Sequence, residues 1–139
     1  MSVLSFSTAC LHIAHRPDLG QLTGRWLCSV SEAELHEGYD ALRRAAGHWH
    51  CGYWLIDSRR RTSRSLNGPE WITTHFLPQV QQELGTSLSV CFLVLPEYLN
   101  TLGKIAASSV PGSAVQFARF LDEGHANAWL AARQAETEL

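Results

Sequence analysis

The stretch LSVCFLVL, residues 88–95, is the most continuously apolar part of the chain. A strand with apolar side chains on both faces is typical of the centre of a sheet that is covered on both sides. The stretch YWLID, residues 53–57, is apolar in the same way and ends on a carboxylate. Segments of helical periodicity separate these strands from one another, which favours parallel strands joined by crossover helices. The two strands therefore predict an α/β fold.

The segment before them predicts an antiparallel hairpin and a helix. A first strand is expected within residues 3–12, turn-forming residues fill 15–20, and side chains alternate with period 2 along 22–30. Ser31 and Glu34 have the spacing of a capping box, which predicts a helix start. The helix is expected to end at Gly47.

Proline positions shape the second helix. Pro69 suits its first turn, and the apolar spacing continues to Gly85. Pro78 falls inside this pattern, where it removes one backbone hydrogen bond. We therefore expect a kink or a break near residues 74–76.

The last third of the chain contains one further strand. Residues 97–107 are expected to hold a short helix and 108–113 a loop, followed by a strand at 115–120. Asp122 is placed to cap a final helix over 123–133. The full order is β-β-α-β-α-β-(α)-β-α. It predicts one α/β domain over residues 1–139, with a mixed five-stranded sheet and an N-terminal antiparallel hairpin.

Composition narrows the range of functions. The chain has 139 residues, 45% of them hydrophobic and 17% charged, with a net charge of −2. This composition is typical of a globular domain, and the weak net charge gives no reason to expect nucleic acid as a partner. No apolar run reaches the roughly 20 residues that span a bilayer, and the N-terminus lacks the pattern of a signal peptide. We expect a cytoplasmic protein without membrane insertion.

The four cysteines lack metal-site or redox-motif spacing. Cys10, Cys28, Cys51 and Cys91 include no C-x-x-C pair, and each lies in an apolar or strand-like stretch. We expect them to be buried thiols in a reducing compartment.

Several segments, taken in order, resemble the small bacterial SpoIIAA-like, or STAS-like, proteins of unknown function. They are EGYDAL at 37–42, WLIDSRR at 54–60, Trp71, FLP at 76–78, VLPE at 94–97, residues 117–122 and AWL at 128–130. The resemblance implies a β-α superhelix with helices largely on one face of the sheet. The same fold group includes STAS domains, which are regulatory modules that bind partner proteins, and CRAL-TRIO domains, which hold a lipid.

The phosphorylation motif of regulatory STAS domains is incomplete in this chain. That motif is Asp-Ser-x-Gly at the start of the helix after the third strand, whereas here Asp57 and Ser58 are followed by two arginines. Ser63 and Ser65 lie outside the motif. The resemblance therefore transfers no phosphorylation site, and whether Ser58, Ser63 or Ser65 is modified stays open.

An arginine-rich loop supplies the candidate site. Arg59, Arg60, Arg61 and Arg64 follow Asp57, between the carboxyl end of a strand and the amino end of a helix. Ligands of open α/β sheets usually bind at this edge, and arginines near a helix N-terminus favour an anion. The alternative is a solvated loop in which an arginine pairs with Asp57, or in which Asp57 caps backbone amides. No second carboxylate is near in sequence, so no acid–base pair is indicated.

Other constellations predict little chemistry. His48, His50 and Cys51 are close together, but no second cluster completes a metal site, so neither a metal nor another cofactor is expected. Both faces of the central strands are apolar. If helices cover mainly one face, then the N-terminal segment, a second copy of the chain or a hydrophobic ligand must cover the other.

These observations favour a non-enzymatic regulatory or protein-interaction module, with a homodimer as the simplest assembly. The alternative is a carrier of a lipid or other small molecule in an apolar pocket gated by residues 96–113. An enzyme would require a catalytic cluster in a cleft.

Overall fold

The computed structural model describes residues 6–60, 71–96, 107–109 and 113–137. They form an α/β fold with one mixed sheet. The strands are β1 (Leu11–Arg16), β2 (Gln21–Trp26), β3 (Tyr53–Asp57), β4 (Leu88–Leu93), β5 (Ala107–Ser109) and β6 (Val115–Phe120). The helices are α1 (Glu32–Trp49), α2 (Leu77–Leu84), which continues from a π-helical turn at Ile72–Phe76, and α3 (Glu123–Thr137).

The sheet has the strand order β1-β2-β3-β4-β6-β5. Strands β2, β3, β4 and β6 are parallel, and antiparallel strands form both edges. The mixed sheet and the N-terminal hairpin confirm the predicted fold. The three-residue strand β5 is an addition to the five expected strands. Its sequence, Ala-Ser-Ser, has no apolar alternation, and only its pairing with β6 identifies it as a strand.

The first strand and the first helix differ in extent from the prediction. Strand β1 begins at Leu11, later than expected, because the register of the hairpin pairs Arg16 with Gln21 across the turn. The capping box at Ser31 is present, but α1 passes Gly47 and ends after Trp49. In this last turn the Trp49 ring stacks on His15 of β1. His50, and not Gly47, then ends the helix in the left-handed conformation.

Pro78 divides the second helix as predicted. A Pro at this position cannot donate to the carbonyl of Thr74, so regular α-helix cannot continue through it. The chain forms a π-helical turn instead, in which Leu77 N donates to Ile72 O. Pro78 then occupies the first turn of α2, where its missing N–H is tolerated. The predicted helix start at Pro69 and residues 97–106 of the helix predicted over 97–107 lie outside the described residues. The prediction is wrong for 107–109, where a helix end and a loop were expected, because these residues pair with β6 as strand β5.

Each face of the sheet has its own apolar cluster. We call the first face the one that carries Trp54 and Val90, and the second face the one that carries Leu55 and Cys91. Helices α1 and α2 pack on the first face, and α3 packs on the second. The helices among the described residues are thus divided two to one. Because α3 covers β3 and β4, the second face needs no other cover there, and the sequence argument for a covering partner fails at these strands.

Candidate functional site

The predicted site lies where β3 ends. Asp57 is the last residue of β3 and points to the second face, and its side chain is 12% exposed. Its carboxylate accepts from Arg59 Nε at 2.9 Å, from Arg59 Nη2 at 2.9 Å and from the Arg59 backbone N at 3.1 Å. Arg25 Nη1 adds a fourth bond at 3.1 Å. The ion pair and the backbone contact that the sequence left as alternatives are therefore both present.

Arg25 connects this carboxylate to the last helix. It lies beside Asp57 in the parallel register of β2 and β3, and its Nη2 contacts Glu123 Oε1 at 2.7 Å. Glu123 is the first residue of α3. We call Arg25, Asp57, Arg59 and Glu123 the Asp57 cluster. It contains two cations and two carboxylates, so its charges balance within the protein.

The electrostatics of Asp57 oppose a role as a base. Burial raises the pKa of this carboxyl, but the hydrogen bonds from Arg59 and Arg25 outweigh that effect and hold its pKa below the usual range. Asp57 is therefore ionised at neutral pH and has four donors around it. Such a carboxylate orients its neighbours and has little tendency to accept a proton from a substrate.

Of the four predicted arginines, the structure describes Arg59 and Arg60. Arg59 uses Nε and Nη2 on Asp57, so its guanidinium group is already engaged by a carboxylate. Arg60 is exposed and follows it in the chain. Arg61 and Arg64 lie outside the described residues. Whether the loop binds an anion stays a prediction.

The backbone that carries Arg60 is anchored on the sheet. Ser58 N donates to Leu93 O at 2.9 Å, which continues the β3–β4 pairing for one residue beyond Asp57. The Asp57 carboxylate holds the next amide, that of Arg59. The chain therefore leaves the sheet with a fixed direction, and it presents Ser58 and Arg60 at the edge.

Sequence reasoning missed Arg25 and Glu123 as members of this cluster. Arg25 lies on the polar side of β2, and a parallel alignment of β2 with β3 would have placed it near Asp57. Glu123 comes from a helix 66 positions later in the chain, and only the packing of α3 on the second face brings it there. No pattern of neighbouring residues in the sequence predicts that contact.

The histidines and buried cysteine do not form a metal site. The His48 ring packs against Phe6 and Trp49. Cys51 Sγ is directed to the carbonyl oxygens of Gly20 and Tyr53. Within the part of the chain that the structure describes, no group of three histidine, cysteine, aspartate or glutamate side chains could hold a metal ion.

A small polar pocket lies at the opposite end of the sheet, where β4 and β6 begin. Its volume is about 220 Å³, and its lining includes Ser87, Ser89, Gln116, Arg133 and Glu136. Arg133 Nη2 and Glu136 Oε1 are paired at 2.8 Å beside it. Hydroxyl, amide and charged groups are a poor lining for a lipid chain.

The fold and the site together define an α/β domain with a charge-balanced cluster at the carboxyl edge of its parallel strands. No protein-family model, curated protein or solved structure gives a significant match to the chain. None of the described helices is long and apolar enough to cross a membrane.

Proposed function

We propose that this protein is a non-enzymatic regulatory or protein-interaction module of SpoIIAA-like type. The sequential order β2-β3-β4-β6, with α1 and α2 on one face, supports this proposal because a β-α superhelix has that arrangement. The resemblance of the sequence to STAS-like proteins points the same way. The partner surface in this proposal is the carboxyl edge of β3, centred on Ser58 and Arg60.

The observation that carries the proposal is the fixed backbone between Asp57 and Arg60. The Asp57 cluster satisfies its own charges, and two backbone bonds orient the residues that follow. A protein partner gains affinity from a surface that is already ordered, because little conformational entropy is lost on binding. Arg60 presents a planar cation there, which favours a partner segment that carries carboxylates.

The test is affinity capture from a cell extract with three forms of the chain. Wild type and Arg44→Glu are expected to retain the same partner, whereas Arg60→Glu is expected to lose it. Arg44 is a matched control because it is an exposed arginine of α1, 57% exposed in its side chain. Equal capture by all three forms would exclude the edge of β3 as the partner surface.

The carrier function remains the alternative. Residues 97–106 and 110–112, which were expected to gate an apolar pocket, lie outside the described residues. A hydrophobic molecule that copurifies in stoichiometric amount would favour the carrier over the interaction module.

A further inference from the structure

The expectation that all four cysteines are buried is wrong for two of them. Cys51 and Cys91 are buried, but Cys28 is exposed and Cys10 is partly exposed. Cys10 immediately precedes β1, and Cys28 follows β2 by two residues. Both therefore lie at the open end of the hairpin, where the two strands separate.

The backbone brings these two residues together. Leu27 N donates to Cys10 O at 2.8 Å, which continues the β1–β2 register by one residue beyond the Leu11–Trp26 pair. Cys28 is the next residue along. Cys10 packs against the first-face cluster that contains Trp26, and alternation along the strand puts Cys28 on the same face as Trp26, so both thiols lie on one side of the hairpin. The Cys28 side chain is also the largest cause of the raised pKa of Cys10, which requires the two thiols to lie near each other.

The two thiols differ in their surroundings. Cys10 Sγ also donates to Glu34 Oε2 at 3.6 Å, and Glu34 is held in turn by the capping box of α1. The hydrogen bond to Cys28, with further contributions from burial and from Glu34, raises the pKa of Cys10 to about 12. Cys10 therefore keeps its proton, and the exposed Cys28 is the thiol that an oxidant meets first.

We propose that Cys10 and Cys28 form a reversible redox pair, closed as an intramolecular disulfide by peroxide or by a low-molecular-weight disulfide such as glutathione disulfide. With peroxide, the Cys28 thiolate attacks one oxygen, the O–O bond breaks, and Cys28 becomes a sulfenic acid as hydroxide leaves. Cys10 sulfur then attacks Cys28 sulfur, the S–O bond breaks, and the Cys10 proton leaves with the hydroxyl group as water. Two thiols lose two electrons in total, and the peroxide is reduced to water.

With glutathione disulfide the same pair closes in two exchanges. The Cys28 thiolate attacks the glutathione disulfide, which gives a mixed disulfide and one glutathione thiolate. Cys10 sulfur then displaces the second glutathione, which takes up the Cys10 proton. The protein gains a disulfide, and one glutathione disulfide is reduced to two glutathiones.

Closure of this pair has a consequence for α1. A disulfide removes the Cys10 hydrogen from Glu34, the residue that caps the first turn of the helix. Oxidation therefore acts on the end of the hairpin and on the start of α1 together. The proposal is independent of the partner surface at the edge of β3.

The test uses the folded chain with glutathione disulfide, followed by mass analysis and mapping of the linked peptides. Wild type is expected to lose two of its four thiols, to retain no glutathione, and to link Cys10 to Cys28 reversibly. Cys10→Ser is expected to keep one glutathione on Cys28, because no second thiol displaces it. Cys28→Ser is expected to stay reduced over the same time.

Cys51 and Cys91 are internal controls. Both side chains are buried, so glutathione disulfide cannot reach either sulfur, and both are expected to stay reduced in the folded protein. A stable glutathione adduct on Cys28 of wild type would overturn the proposal. So would a disulfide between two chains only, or reaction of Cys51 or Cys91 as fast as Cys28.

Discussion

The first and second faces of the sheet are covered by helices that are attached in different ways. On the first face, α1 and α2 bury large side chains such as Trp26, Tyr39 and Trp54, each at most 1% exposed. On the second face the apolar cluster beneath α3 has five fully buried members, which are Leu55, Cys91, Leu93, Ala126 and Leu130. Tight apolar packing holds α1 and α2 on the first face, whereas α3 is held on the second face more by polar contacts.

Polar contacts hold α3 along its whole length. Glu123 pairs with Arg25 at the start of the helix, and Gln21 Nε2 donates to Asn127 Oδ1 at 3.3 Å. Near the other end, Gln134 Nε2 donates to Leu19 O at 2.8 Å, at the turn of the hairpin. Hydrogen bonds fix direction and register but add little net free energy each. The first face therefore carries most of the stability, and the second face positions the Asp57 cluster.

The largest expected effect on the free energy of unfolding is that of replacing a tryptophan by alanine, and this substitution can be made on each face. Trp54→Ala on the first face is expected to lower the free energy of unfolding by about 3–5 kcal/mol, because it leaves a cavity beside Phe76. Trp129→Ala on the second face is expected to cost less than half as much, since that ring is partly exposed. Urea unfolding of both variants measures the difference. Equal losses would contradict the comparison.

Two glycines of α1 separate packing from helix propensity. A Cβ on Gly38 would lie 2.4 Å from Trp26 Cη2, inside the packed first face. Gly38→Ala is therefore expected to lower the free energy of unfolding by about 1–3 kcal/mol. Gly47→Ala meets nothing within 4 Å and is expected to raise it by about 0.5–1 kcal/mol. Thermal or urea unfolding measures both, and an unfolding free energy that rises for Gly38→Ala as well would show that the first face has room for an added methyl group.

The Asp57 cluster makes the free energy of unfolding depend on pH. Because its folded pKa is lowered, Asp57 stabilises the fold above the unfolded pKa of about 3.9, and this contribution is lost as the pH falls through the folded pKa. Asp57→Asn is expected to cost about 1–2 kcal/mol at pH 7, a figure reduced for the partly exposed arginines. Its unfolding free energy is expected to vary less than that of wild type below about pH 4.

Asp18 provides the control for Asp57. It is also paired with an arginine, at 2.8 Å from Arg16 Nη2, and that bond holds its pKa below the usual range. Both partners are about half exposed, so solvent screens their attraction. Asp18→Asn is expected to leave stability at pH 7 near the wild-type value. If Asp18→Asn lost as much stability as Asp57→Asn, the loss would come from removing a carboxylate charge and not from disrupting the buried cluster.

The sequence predicted what depends on local chemistry. The capping box at Ser31, the interrupted helix before Pro78 and the cap at Asp122, where Gly124 N donates to Oδ1 at 2.8 Å, each follow from residues close together in the chain. The apolar pattern of residues 88–95 likewise predicted a central strand. These features depend on backbone hydrogen bonds and side-chain periodicity, which neighbouring residues determine.

The missed features depend on contacts between distant residues. Strand β5 forms by pairing with the edge of β6. Glu123 contacts Arg25 because α3 packs across the second face. Cys10 and Cys28 lie at the same end of the hairpin because Leu27 N bonds to Cys10 O, and the predicted first strand, which began earlier, did not show this. Trp49, at the unpredicted end of α1, stacks on His15, which belongs to another element. Tertiary packing decides each of these outcomes.

The most direct test of the proposed function is native mass spectrometry of the untagged chain, followed by denaturing analysis of the same sample. The measurement gives the number of subunits and any retained small molecule together. An interaction module with a packed core and a charge-balanced edge is expected to retain no small molecule, whether it is a monomer or a homodimer. A stoichiometric ligand released on denaturation would contradict the account and would identify the protein as a carrier or an enzyme.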